Sequence, residues 1–170
     1  MKKSDIRILP EHFDQYITLV VEEELVISLQ NTLKIEQIID ISLLNKKADY
    51  SYAPGKWSVK DVLQHLIDAE RVLSYRALCF ARNDQTELPG FDESQYGEHM
   101  MANWRTIDDL LIEMKVVRNA TILLFKNFND EMLLRKGICY KVKIDVLSLG
   151  FAIIGHQKHH FNIIKSKYFC

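Results

Sequence analysis

Apolar residues return at helical spacing in four stretches of this chain, with polar connectors between them. Leu25, Val26, Leu29, Leu33, Ile35, Ile38, Ile39 and Leu43 keep that spacing and predict a first long helix from about Glu22 to Leu44. A second stripe, Val59, Val62, Leu63, Leu66, Ala69, Leu73 and Phe80, predicts a helix from Ser58 to near Asn83. It opens on a capping-box pattern, Ser58 with Asp61 at the third following position. Thr106 with Asp109 repeats that pattern ahead of Ile107, Leu110, Leu111, Met114, Val117, Leu124 and Phe125. The fourth helix is expected from about Asp145 to Tyr168.

The connectors differ in character. Residues 45–57 (NKKADYSYAPGKW) carry a Pro-Gly turn. Residues 83–97 (NDQTELPGFDESQYG) form a loop of a length that is often functional, with a turn of helix expected after Asp92. NDEMLLRKGICYKVK is a connector punctuated by Gly137, and the alternation in KVKI is too short for a sheet of its own. After Pro10, EHFDQYITLV reads as a short helical arm. Each of the four helices must hide one stripe, so the chain is read as all-α, a four-helix bundle. Residues 1–170 form one domain in this reading, with 1–21 an N-terminal arm packed on the bundle. The long connection at 83–106 allows a crossover in place of a plain up-down order.

Composition narrows the function. At 48% apolar residues an ordinary core can be buried, and a net charge of −1 with dispersed Lys and Arg gives no footprint for nucleic acid or an anionic membrane. No run of about 18 apolar residues is present to span a bilayer. The opening MKKSDIRILPEHFD lacks the apolar core of a signal peptide. Cys79, Cys139 and Cys170 are sparse and without a CxxC, which suits a reduced, cytoplasmic setting.

The chemistry lies in three histidines. At about 100° per residue, His65 lies roughly 80° from the centre of its apolar stripe and can turn inward from the flank. On the fourth helix His160 shares the buried face with Leu149, Ile153 and Ile164, and His156 lies roughly 60° from Ile153. His159 points roughly 100° away from His160. The pair His156/His160, spaced i and i+4, can share an ion, and His65 adds a third nitrogen from another helix. Three helix-borne imidazoles leave open coordination positions, which is a catalytic rather than a structural pattern. The bland alternative is that each is a core histidine with its own hydrogen-bond partner. Three buried neutral rings need three such partners, and one metal ion satisfies all of them. The HxxxH spacing matches the zincin helix HExxH, but Gln157 fills the place of its carboxylate, so a metalloprotease is excluded.

Other polar residues have two readings each. Glu70 and Arg118 suit an ion pair between helices. Arg76, on the His65 side, either pairs with Glu113 or meets an anionic substrate. Tyr96, Asp92 and Trp104 come from the long loop and either roof a pocket or simply pack. Trp57 reads as a plug at the bundle end, Asp68 as outward-facing, and His12 and His99 as surface residues.

The segments KWSVKDVLQHLIDAERVLSYRALCFARND, LPGFDESQYG, VVRNATILLF and GFAIIGHQKHHFNIIKSKYF together resemble the DinB/YfiT-like superfamily, in order and spacing, from about residue 10 to 170. The resemblance implies up-down-down-up topology and a metal site on His65, His156 and His160. It implies a metal-dependent enzyme acting on a small molecule, either a hydrolase using a metal-bound water or an S-transferase that activates a low-molecular-weight thiol. It also implies a homodimer. Relatives often carry an acidic residue where Gln157 stands, so a carboxylate base on this helix is not carried over. Imidazole ligation favours zinc or nickel and also admits manganese. Arg76 and Tyr96 are the substrate-binding candidates. The competing reading is a stress-associated bundle with a vestigial metal site and no catalysis.

Overall fold

The computed structural model describes residues 1–170. Its helices are α1 (Asp14–Ile17), α2 (Leu25–Asn31), α3 (Ile35–Ile38), α4 (Ile41–Lys46), α5 (Val59–Ala81), α6 (Glu93–His99), α7 (Ile107–Lys126), α8 (Asp130–Leu134) and α9 (Val146–Ile163). A hairpin of β1 (Lys136–Cys139) and β2 (Val142–Asp145) precedes α9, which ends in a π-helical turn over Ile164–Tyr168.

The two capping boxes form as local chemistry dictates. The Ser58 side chain accepts from the Asp61 amide, and the Thr106 side chain accepts from the Asp109 amide. Asp145 caps α9 by accepting from the Ser148 amide at 2.7 Å. Asp92 caps α6 in the same way, so the expected helical turn in the long loop is present.

Two expectations need correction. The single helix over 22–44 is broken into α2, α3 and α4. No Gly or Pro marks the break; side chains that compete with the backbone make it. The Thr32 hydroxyl bonds back to the Leu29 carbonyl at the end of α2, and Asp40 accepts from the Leu43 amide to start α4. The segment containing KVKI does form a sheet, the two-stranded hairpin. Its turn places Tyr140 and Lys141 at φ 48 and φ 66, a conformation usually signalled by Asn-Gly, which this sequence lacks.

Cross-helix contacts give the direction of each helix. Gln64 meets Arg105, Glu70 meets Arg118 and Ser74 meets Thr121, so α5 and α7 run parallel. His65 meets His156 and the Trp57 carbonyl meets the Tyr168 hydroxyl, so α9 runs antiparallel to α5. Thr32 meets Arg118 and Glu36 meets Lys115, so the first helical segment runs antiparallel to α7, and Thr32 also meets Gln157, which places that segment alongside α9. The bundle is therefore up-down-down-up, and the long 82–106 connection is its crossover. That connection is pinned to the hairpin: the Leu88 amide donates to Ile138 and the Tyr140 amide donates back to Leu88.

The interior has two apolar clusters. One gathers Leu73, Phe80, Phe125, Phe151 and the arm residues Ile17 and Val20; the other gathers Leu63, Leu66, Leu110, Phe161 and Tyr168. Between them lies a buried polar layer that includes His65, Glu70, Arg118, His156 and Gln157. The Arg118 fork grips both Glu70 carboxylate oxygens at 2.8 Å, the ion pair expected from the sequence. No helix is long and apolar enough to cross a membrane.

Candidate metal centre

The polar layer brings His65, His156 and His160 together. The Nε2 of His156 lies 3.1 Å from the Nε2 of His65 and 3.1 Å from that of His160. One ligand nitrogen from each of the three lies within 4.8 Å of the others. A neutral ring nitrogen carries either a proton or a lone pair, so three of them meeting at one point cannot all be satisfied by each other. With metal–nitrogen bonds of about 2.1 Å, nitrogens up to roughly 4.2 Å apart can share an ion; both 3.1 Å pairs meet that limit, and the His65–His160 pair, within 4.8 Å, meets it with a small rotation of the rings. The donor set fits a divalent cation.

Burial keeps these rings neutral. Desolvation pushes His65 down to about 4 and His160 down to about 3, the latter also through the neighbouring His65 and His159. His156 is held well below its ordinary value by desolvation, then by the other histidines. Neutral imidazole is the ligating form, so the site is ready for metal at physiological pH. His159 contacts the Tyr16 ring and the edge of His160 and stays outside the cluster.

The surrounding shell comes from distant segments. Trp57 sits 4.8 Å from His65, ring centre to ring centre, so it is part of the site wall and not merely an end plug. Phe91 stacks over His65 at 6.4 Å. Tyr16 of the arm presents its ring to His156 at 5.0 Å. That approach needs Gly155, because any Cβ there would run into the Tyr16 backbone. Gly97 does the same for the roof, since a Cβ would come within 2.7 Å of the Trp57 ring and α6 could not close over it.

Two sizeable cavities reach the histidines. One, of about 290 Å³, abuts His156 and is lined by Tyr16, Leu73, Arg76, Phe91, Glu93 and Tyr140, with His12 at its edge. The other, of about 520 Å³, abuts His160 and is lined by Trp57, Ser94, Gly97 and Glu98. Helix α6 contributes to both, Glu93 to the first and Ser94, Gly97 and Glu98 to the second. Glu93 is an exposed residue at the start of α6 whose carboxyl is pushed up by partial desolvation at the cavity and then by Asp92, and it helps push up the Tyr16 hydroxyl, which burial raises first. Sequence reasoning passed over Glu93 and Tyr16. The only signal was that Glu93 follows the Asp92 cap in an unusually long loop.

Of the remaining candidates only Arg76 lines the His156 cavity. Arg76 does not pair with Glu113, which takes Arg71 at 2.6 Å and Arg105 at 2.5 Å. The parallel run of α5 and α7 sets Arg71, not Arg76, level with Glu113. Tyr96 packs on Phe91 and lines neither of these two cavities. Trp104 is exposed, Asp68 bonds Gln64 and Arg71, and His99 is exposed at the end of α6.

The family model of the DinB superfamily matches residues 42–164, which takes in all three histidines. The chain belongs to the DinB superfamily. Among solved structures, this DinB chain is similar to YfiT from Bacillus subtilis, described as a probable metal-dependent hydrolase with an unusual four-helix bundle topology. The TM-score is 0.65 at 20% identity, over 95% of this chain and 88% of that one, which establishes the shared fold. A protein of Oceanobacillus iheyensis, provisionally named a metal-dependent hydrolase, is 26% identical over 86 residues. That match spans 51% of this chain and 50% of the relative, about half of each.

Proposed function

We propose that the protein is a metal-dependent enzyme acting on a small molecule, a hydrolase whose divalent ion is held by His65, His156 and His160. The observation that carries this reading is the meeting of three neutral imidazole nitrogens, with His156 at the wall of a cavity of about 290 Å³ and His160 at the wall of one of about 520 Å³. The hydrolase names of the matched relatives support it. When bound, a divalent ion polarises a substrate carbonyl and brings the pKa of a coordinated water towards neutrality.

The chain's own groups supply the rest. The three rings stay unprotonated through burial and so remain ligands. Trp57 and Phe91 cover His65 and Tyr16 covers His156, which limits their contact with bulk water, while His160 faces the larger cavity. Glu93 is the carboxyl in the same cavity as His156, and its raised proton affinity suits it to take up and return a proton there. Gln157 is engaged elsewhere, donating to the Thr32 carbonyl at 3.4 Å, and has no acid–base capacity. Zinc and nickel suit three imidazoles best.

The test is metal analysis of the purified protein, followed by turnover of ester and amide panels before and after chelation. Activity that disappears on chelation, returns with zinc or nickel, and is lost in His160→Ala supports the reading. Activity indifferent to both sinks it. Turnover that requires an added low-molecular-weight thiol assigns an S-transferase instead, and tight metal binding without any turnover assigns a non-catalytic bundle. For self-association, we infer that the homodimer uses Ile112, Val116 and Leu123, which share one exposed face of α7. Sedimentation equilibrium returning only the 19.9 kDa monomer would remove that inference.

A further inference from the structure

The histidines leave one feature of the 290 Å³ cavity unexplained. Two arginines are buried in this protein, Arg118 at 3% exposure and Arg76 at 7%. Arg118 has Glu70 as its counter-ion; Arg76 has no carboxylate within 4.0 Å. Its one hydrogen bond runs from Nη2 to the Pro89 carbonyl at 2.9 Å. A guanidinium carries five N–H donors, so most of its bonding capacity is unused. Those nitrogens are not sealed in protein, because among buried side-chain polar atoms only the Ser148 hydroxyl lacks a partner. They keep some accessible surface, and Arg76 lines the cavity together with His156. A buried cation without a counter-ion is costly to maintain, and a ligand anion removes that cost.

We propose that Arg76 is the anion anchor of this cavity and that its ligand is a small monocarboxylate with an apolar body. The guanidinium fork matches a carboxylate in a bidentate pairing. Phe13, Tyr16, Leu73, Phe91 and Tyr140 supply aromatic and aliphatic walls for the body. A dianion such as a phosphate monoester fits less well, because the cavity offers one unpaired cation and also holds Glu93. Along α5 the cavity extends from Ala69 to Arg76, roughly 10 Å of helix axis. The ligand is therefore elongated, with its carboxylate at the hairpin end and its reactive group at the His156 end. Only this last orientation rests on the metal-enzyme reading; the anchor does not.

The experiment titrates 4-phenylbutyrate, 4-phenylbutyramide and 4-phenylbutylamine into chelator-treated and zinc-loaded protein by calorimetry. The carboxylate is expected to bind at least about tenfold tighter than the amide in both forms, and the amine weakest. Arg76→Gln is expected to abolish that preference, and Arg76→Lys to keep part of it. The proposal is overturned if the three probes bind alike, if none binds, or if the preference exists only with zinc and survives Arg76→Gln, which would seat the anion on the metal. A preference that persists in a protein unable to hold zinc overturns the metal reading and leaves the anchor standing. Should Arg76→Gln not fold, the side-chain Nε–H resonance of Arg76 in the wild-type protein decides. A saturating shift with 4-phenylbutyrate supports the anchor, and an unmoved resonance refutes it.

Discussion

Replacing Gly155 by alanine tests how the N-terminal arm is held against the metal-binding helix. The added Cβ overlaps the Tyr16 carbonyl group and comes 3.0 Å from the Tyr16 Cα. These are backbone atoms, which cannot rotate aside as a long side chain can, so the arm must withdraw by roughly 1 Å or more. It carries Ile17 and Val20, which are 0% and 4% exposed. Full burial of such side chains stabilises by about 1.5–3 kcal/mol each, so complete release costs about 3–6 kcal/mol. A gap of this size forfeits part of that through lost close contacts, giving an expected loss of about 2–4 kcal/mol. Urea denaturation of the metal-free protein measures it. With a slope of about 2 kcal/mol per molar, the midpoint drops by roughly 1–2 M. Ile17→Ala should weaken the same contact, and the double variant should cost less than the sum of the two. Metal affinity should fall with the arm, since Tyr16 covers His156. A Gly155→Ala protein within about 0.5 kcal/mol of wild type, with unchanged metal affinity, refutes this account of the arm.

Alanine at His65, His156 or His160 should each lower zinc affinity by more than about 100-fold, beyond the effect of losing an outer-shell partner, while His159→Ala should change it little. Competition with a chromophoric chelator reads both. The metal-free protein should lose stability as pH falls below about 6.5, because the unfolded chain then binds protons that the buried rings refuse. The loss is up to about 1.4 kcal/mol per pH unit for each ring. It continues until the folded-state values are reached, about 4 for His65 and about 3 for His160. A flat stability profile between pH 7 and 5 contradicts it. Glu70→Ala should destabilise by about 3–5 kcal/mol by stranding the Arg118 charge, whereas Glu70→Leu with Arg118→Met should recover most of that, as thermal or urea unfolding will show.

What could be read along the chain was local. Helices α5, α7 and α9 announce themselves through apolar stripes and through Ser58, Thr106 and Asp145, whose side chains cap a backbone only three residues away. The i, i+4 spacing of His156 and His160 is likewise a property of one helix, as is the separation of His159 from them. Events settled by competition or by meeting were not legible. The first helix breaks at Thr32 and Asp40, where side-chain hydrogen bonds outbid helix continuation without any Gly or Pro. The hairpin adopts left-handed backbone at Tyr140 and Lys141 because its strands and the Leu88 segment hold it there. Arg76 lost Glu113 because α5 and α7 run parallel in a register that no single helix reveals. Glu93 and Tyr16 enter the cavity from segments nearly eighty residues apart, brought in by the crossover and by the arm lying on Gly155. Periodicity and capping act over one or two turns and are written in the sequence. Which groups face one another across the bundle depends on helix direction, register and close approach, and these exist only once the chain has packed.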